Sequence, residues 1–252
     1  MAKSTPHTKF DRGQFEVGFP SGTENSFWNL ARNWVVDRQL RAAVRSGFFE
    51  PQNVILEIGC GTGIVVSHLV ARGWNIFGSE LGDPTLMPGT QSIIHTSKSA
   101  IDLDQEFRNS VRCVLLLDVI EHISDDAVFL KGIVDAFPGC TCFIVTVPAR
   151  QEVWSQYDEF YGHFRRYDPR GLTALFDAAG IDVQIMRYIF QSLYFAAQAA
   201  KVLGKVRTAD LQAMRYPALH RMASFFLKAE SCAMPRWIWG LSLLGVATRR
   251  CS

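Results

Sequence analysis

Two histidines and their acidic neighbours carry the chemistry open to this chain. Asp118, Glu121 and His122 follow an apolar run with D-x-x-E-H spacing. If that segment coils into a helical turn, positions i, i+3 and i+4 share a face. His163 stands in DEFYGHFRRY, residues 158–167, after the next apolar run. An imidazole titrates near neutrality, so His163 or His122 is a candidate base for removing a proton from a hydroxyl. Glu121, His122 and His163 together are also a donor set for a divalent metal that would activate a hydroxyl. A structural reading stands beside these two: Glu121 and His122 brace a loop, and Arg165 pairs with a carboxylate. Arg165, Arg166 and Tyr167 are candidates to position an acceptor or to close over it.

A second group of residues suits a nucleoside. Glu57-Ile58-Gly59-Cys60-Gly61-Thr62-Gly63 leaves an apolar run and opens a helical one. Glycine is needed where the turn is tight and a ligand must approach the backbone. Amides at the start of the helix favour an anionic group such as a carboxylate. The spacing is GxGxG followed by Ile64, so the dinucleotide pattern GxGxxG fails by one position. Glu80 ends the following apolar run, where an acid accepts both hydroxyls of a ribose.

These residues need a scaffold, and hydrophobic periodicity supplies one. Strands are expected at 54–58, 75–80, 92–95, 111–118, 141–147, 181–188 and 242–249. Helices are expected at 24–46, 63–72, 125–136 and 168–179, the last opening on Asp168 and Pro169. Strands alternating with helices over 54–147 imply βαβ units and a parallel sheet. Residues 1–23 read as a flexible N-terminus and 24–252 as one domain. About 189–240 forms a helical, aromatic and basic insertion. Its apolar stretches, such as 189–200, contain Gln191 and Gln198 and fall short of the ~20 residues of a membrane span.

The 252 residues carry 26 Lys/Arg against 24 Asp/Glu, yet the charge is uneven. Residues 187–252 hold 10 Lys/Arg and 2 Asp/Glu, leaving 16 and 22 for residues 1–186. A basic C-terminal quarter suits phosphate or an anionic membrane surface, or is simply a solvated helix face. The acidic remainder argues against nucleic acid, which needs a continuous basic groove. The 6 cysteines form no CxxC pair and no secretory pattern opens the chain, so the cytoplasm is the expected compartment, with peripheral contact at the inner face of the membrane.

VILEIGCGTG (54–63) resembles motif I of class I S-adenosylmethionine-dependent methyltransferases, and LLLDVIEHI (115–123) resembles their fourth-strand motif in its D-x-x-E-H branch. The resemblance implies an α/β, Rossmann-like, seven-stranded sheet of order 3-2-1-4-5-7-6, with the seventh strand antiparallel. It implies that S-adenosylmethionine binds and leaves as S-adenosylhomocysteine. Glu57, Gly59, Cys60, Gly61 and Gly63 would line its methionine and ribose portion, and Glu80 would hold the ribose. Leu81, Ala100 and Ile101 would flank the adenine, and Asp118 would lie beside the methionyl amine. Quinone and terminal RNA 2′-O-methyltransferases carry related E-x-x-E-H motifs that bind metal; here the first position is Asp118. The segment from Val147 through Trp154 and Asp158 to His163-x-Arg165-Arg166-Tyr167 resembles a bacterial group associated with cell-surface polysaccharide and lipid-linked sugar assembly. The expected reaction is O-methylation of a glycan, a lipid-linked molecule or a small hydroxylated acceptor. A quinone or phenol acceptor is the enzymatic alternative, and a catalytically silent scaffold subunit the non-enzymatic one. The aromatics of 189–240 would lid the pocket, cover a lipid, or form that insertion's own core.

Overall fold

A computed structural model of the chain describes Gly18, Pro20, residues 22–204 and residues 216–250. The expected flexible segment 1–23 therefore lies almost wholly outside the described residues. So does the middle of the insertion.

Seven strands form one sheet in the order β3-β2-β1-β4-β5-β7-β6. They are β1 (Val54–Ile58), β2 (Ile76–Ser79), β3 (Ile94–His95), β4 (Val111–Leu117), β5 (Cys142–Pro148), β6 (Ile181–Ile189) and β7 (Ser242–Arg249). β1 to β5 run parallel, and β7 lies antiparallel between β5 and β6. The central strands are apolar but for Glu57, Arg112 and Thr146, as suits a sheet with helices on both faces. Successive residues therefore serve opposite cores. Ile55 and Cys113 face one, while Leu56 and Val114 face the other.

The first core is closed by α1 (Phe27–Arg45), α2 (Ile64–Val70) and the insertion. Ser26 caps α1, its Oγ accepting from the Asn29 amide at 3.2 Å, and Val35, Val36 and Leu40 are buried on the sheet side. The short α3 (Gln105–Ser110) precedes β4. The second core is closed by α4 (Asp126–Ala136) and α6 (Pro169–Ala179). In α6 the Asp168 side chain accepts from the Gly171 amide at 2.7 Å, Pro169 occupies the first turn, and Gly180 ends the helix in the left-handed conformation. The short α5 (Gln156–Phe160) follows β5.

The insertion contributes α7 (Gln191–Val202) and α8 (Pro217–Ala233). α8 folds back along α1. There the Phe27 amide donates to His220 Nδ1 at 3.2 Å. Phe190, fully buried, sits 4.6 Å from the Trp28 ring and anchors the start of α7. Among the described residues, no helix is long and apolar enough to cross a membrane.

Candidate active site

The C-terminal ends of β1, β2 and β4 open on a cavity of about 1030 Å3, walled on the other side by α1 and α7. Ligands bind at this edge of parallel α/β sheets because the loops and helix starts converge there.

The turn after β1 forms the cavity's floor. Gly59, Gly61 and Gly63 have φ of 74°, 53° and 83°, a region that a side chain disfavours. At Gly59 a Cβ would sit 2.8 Å from Val119 Cγ2. At Gly63 it would strike the Ile94 side chain, so that glycine serves the packing of the turn and does not line the cavity. Cys60 and Gly61 line it. The Glu80 carboxylate is fixed across the turn. Its Oε2 accepts from the Gly61 amide at 2.9 Å and its Oε1 from the Gly82 amide at 2.8 Å. Each oxygen retains acceptor capacity for a ribose hydroxyl.

Glu57 is buried, and its Oε2 has no hydrogen-bond partner. Burial pushes its carboxyl up to about 8; Glu80 and Asp118 push the same way, and Arg32 opposes them. A cationic group that carries N–H donors would supply the missing partner and favour the ionised carboxylate. Asp118 stands at the tip of β4 with φ of 57°. Thr146 Oγ1 donates to its Oδ1 at 3.2 Å, and Arg32 of α1 donates to its Oδ2 at 3.1 Å. Leu81 and Ala100 line the cavity; Ile101 is exposed and does not.

The cavity's far end brings together the loops after β4 and β5. The Phe164 amide donates to the Glu121 carbonyl at 2.8 Å and ties the two loops. The His122 and His163 rings meet edge to face, 4.7 Å apart. One donor atom from each of Glu121, His122 and His163 lies within 4.8 Å of the others. Glu121 is fully buried with neither carboxylate oxygen hydrogen-bonded. Burial, reinforced by Asp118, raises its carboxyl far above the usual range. Burial and the neighbouring His163 lower His122 to about 3, so its ring is neutral.

Asp158, to which the sequence reading gave no role, organises this end. It is fully buried. Its Oδ1 lies 2.9 Å from His163 Nδ1, and Arg166 donates to it through Nε at 2.8 Å and Nη2 at 3.0 Å. Burial works against ionisation, but the bonds from His163 and Arg166 prevail and hold the carboxyl at about 2. An ionised carboxylate only accepts, so His163 Nδ1 carries the proton and Nε2 is left as the basic atom.

The three residues expected to meet an acceptor sit differently. Arg166 borders the cavity, but its guanidinium is committed to Asp158 and, at 3.0 Å, to the Ala149 carbonyl. Arg165 pairs with Asp126 at 2.8 Å, and the Tyr167 hydroxyl donates to Asp126 at 2.7 Å. Neither lines the cavity. Arg165 thus follows the structural reading, and Tyr167 fixes the loop from behind.

A methyltransferase-domain family model matches residues 33–184, more than half the chain, and the chain belongs to that family. The ubiquinone biosynthesis O-methyltransferase of Acinetobacter baumannii strain AYE is 25% identical over 111 residues, 41% of this chain. The match spans only 44% of that relative's length. Among solved structures, a putative sarcosine dimethylglycine methyltransferase from Galdieria sulphuraria is 11% identical with a TM-score of 0.52, over 88% of this chain and 86% of that one. The Haemonchus contortus phospholethanolamine N-methyltransferase 2, solved with phosphomonomethylethanolamine and S-adenosylhomocysteine, is 14% identical with a TM-score of 0.52, over 95% and 60%. These two likenesses are of fold, and they agree with the sheet order given above. The chain thus joins a methyltransferase-domain family match to the class I methyltransferase fold.

Proposed function

We propose that the chain is an S-adenosylmethionine-dependent O-methyltransferase in which Asp158-held His163 is the general base. The carrying observation is that His163, oriented by a buried carboxylate, stands in the cavity that also contains the glycine turn and Glu80. The cofactor supplies an electrophilic methyl group on sulfur. Glu80 and the glycine turn hold its nucleoside, and Glu57 meets its cationic end. The acceptor oxygen bonds to the methyl carbon as the carbon–sulfur bond breaks, and the hydroxyl proton passes to His163 Nε2. Alignment of the two reactants supplies the larger share of the acceleration, on the order of 7–11 kcal/mol.

The acceptor is a small hydroxylated molecule, free or carried on a glycan or lipid. The cavity volume supports this, since it leaves room beyond a cofactor for a second small ligand. The partial match to a ubiquinone-pathway O-methyltransferase supports a hydroxyl, and keeps a quinone or phenol as the alternative acceptor. The test pairs a deletion strain with the purified enzyme. Methyl-labelled cofactor and an extract of that strain should yield a labelled product, and His163→Ala should slow its formation about 100-fold or more. Near-normal transfer by the variant removes His163 as the base.

One observation favours a second reading: the buried Glu121 carboxylate without hydrogen bonds, beside two imidazoles. These residues fit a divalent cation, which would act as a Lewis acid on the hydroxyl. Titration of metal-free protein with manganese or zinc decides it. Binding that Glu121→Gln abolishes supports the cation, and no heat on titration removes it.

A further inference from the structure

The insertion carries an apolar face that the fold leaves uncovered. In α8, Ser224, Leu227 and Ser231 are buried against the body of the protein. At 3.6 residues per turn, the opposite side of the helix carries Leu219, Met222, Phe225 and Phe226, with Ala229 and Ala233 continuing the stripe. The first four are 54%, 54%, 67% and 64% exposed. No charged residue interrupts this arc. Arg221 and Lys228 border it, while the one acid of the helix, Glu230, is bound by the Ser192 amide at 2.8 Å. Beyond the helix, Met234, Trp237 and Trp239 are also exposed, with Arg236 among them. At the end of α7, Val202 and Leu203 stand out beside Lys201. An uncovered apolar helix face with this much aromatic area marks a docking site on a folded protein.

We propose that this face docks on an anionic phospholipid bilayer. Charge and side-chain type select that occupant. Tryptophan and phenylalanine settle at the boundary between headgroups and acyl chains, and a basic border meets lipid phosphate. A second copy of the chain would set the Arg221–Lys228 border against like charge. The surface also adjoins the cavity. Lys201 and Gly204, which flank the exposed Val202 and Leu203 at the end of α7, line its wall. The inference adds a partner to the methyl-transfer reading and does not depend on it. If both hold, an amphiphilic acceptor has a short route from the bilayer to His163.

Co-sedimentation of the full chain with vesicles of phosphatidylglycerol and phosphatidylcholine in roughly equal parts tests this, with phosphatidylcholine vesicles as the control. The protein should pellet with the mixed vesicles, less so as salt rises, and hardly at all with the control. The double variant F225E/F226E should bind about tenfold more weakly or worse, with an unchanged melting temperature. Arg221→Glu combined with Arg236→Glu should remove the preference for anionic lipid. Wild-type protein that stays in the supernatant, or a double variant that pellets as before, overturns the proposal. A dimer that F225E/F226E dissociates, without vesicle binding, assigns the face to self-association and also overturns it. Calorimetry with S-adenosylhomocysteine on the same sample reads the methyl-transfer assignment separately.

Discussion

Asp158 Oδ1 lies 2.9 Å from His163 Nδ1, and Arg166 clamps the same carboxylate from its other side. The ring is thereby held in one tautomer, with its basic nitrogen determined by a residue that does not touch the acceptor. Asp158→Asn removes the charge and lets the amide donate, which favours the wrong tautomer. Turnover should fall about 10- to 100-fold while the affinity for S-adenosylhomocysteine, read by calorimetry, stays the same. A change in cofactor affinity with unaltered turnover would contradict this positioning role.

The same carboxylate should govern acid stability. Its folded value of about 2 lies below its ordinary 3.8. The depressed value means that the folded state binds the proton less readily, so the stabilisation is present above pH 3.8 and is lost as the pH falls toward 2. That window carries roughly 2 kcal/mol. Urea unfolding at pH 5 and at pH 2.5 measures it, and Asp158→Asn should flatten the difference.

Glu57 runs in the opposite sense. Its folded value is raised from 4.5 to about 8, so the folded protein retains a proton there at neutral pH. Ionisation therefore costs stability as the pH climbs from 4.5 through 8. A cation bound beside Glu57 offsets that cost and expels the proton. Cofactor binding at pH 7 should release about one proton, visible as a calorimetric enthalpy that depends on the buffer's ionisation heat. Glu57→Gln should abolish the buffer dependence and weaken binding.

Gly59→Ala tests the floor of the cavity. The added Cβ meets Val119 Cγ2 at 2.8 Å, and the backbone is in the left-handed region. The strain is roughly 1–2 kcal/mol before any repacking. Melting temperature should drop, and S-adenosylhomocysteine affinity should drop by more than the melting shift alone implies. Gly73→Ala makes a useful comparison, because it shares the positive φ but has open space around the new methyl group. It should lower stability without affecting cofactor affinity.

Local pattern carries much of this architecture. The apolar runs of β1, β4 and β5 and the glycines at 59–63 are short-range signals, and β7 emerges with its expected bounds, Ser242–Arg249. The meeting of His122 and His163 follows from β4 and β5 being neighbours in the sheet. The parts that escape a sequence reading depend on distant contacts. Arg32 reaches Asp118 from a helix 86 positions away in the chain. Arg166 looks like an acceptor contact in the string HFRRY, and only the buried Asp158 shows where its charge is spent. α3 and α5, at 6 and 5 residues, are too short for periodicity to register.

The placement of β7 sets an order of assembly. It lies between β5 and β6 and is hydrogen-bonded to both, so β6 has no strand partner until residues 242–249 arrive. A nascent chain halted before Ser242 would leave β5 open on one side and β6 open on both, edges that are templates for aggregation. Closing them requires contacts between Cys142 and Thr248 across most of the second half of the chain. Such long-range closure is slow, and the interval before it is when ribosome-associated chaperones would matter most to this protein.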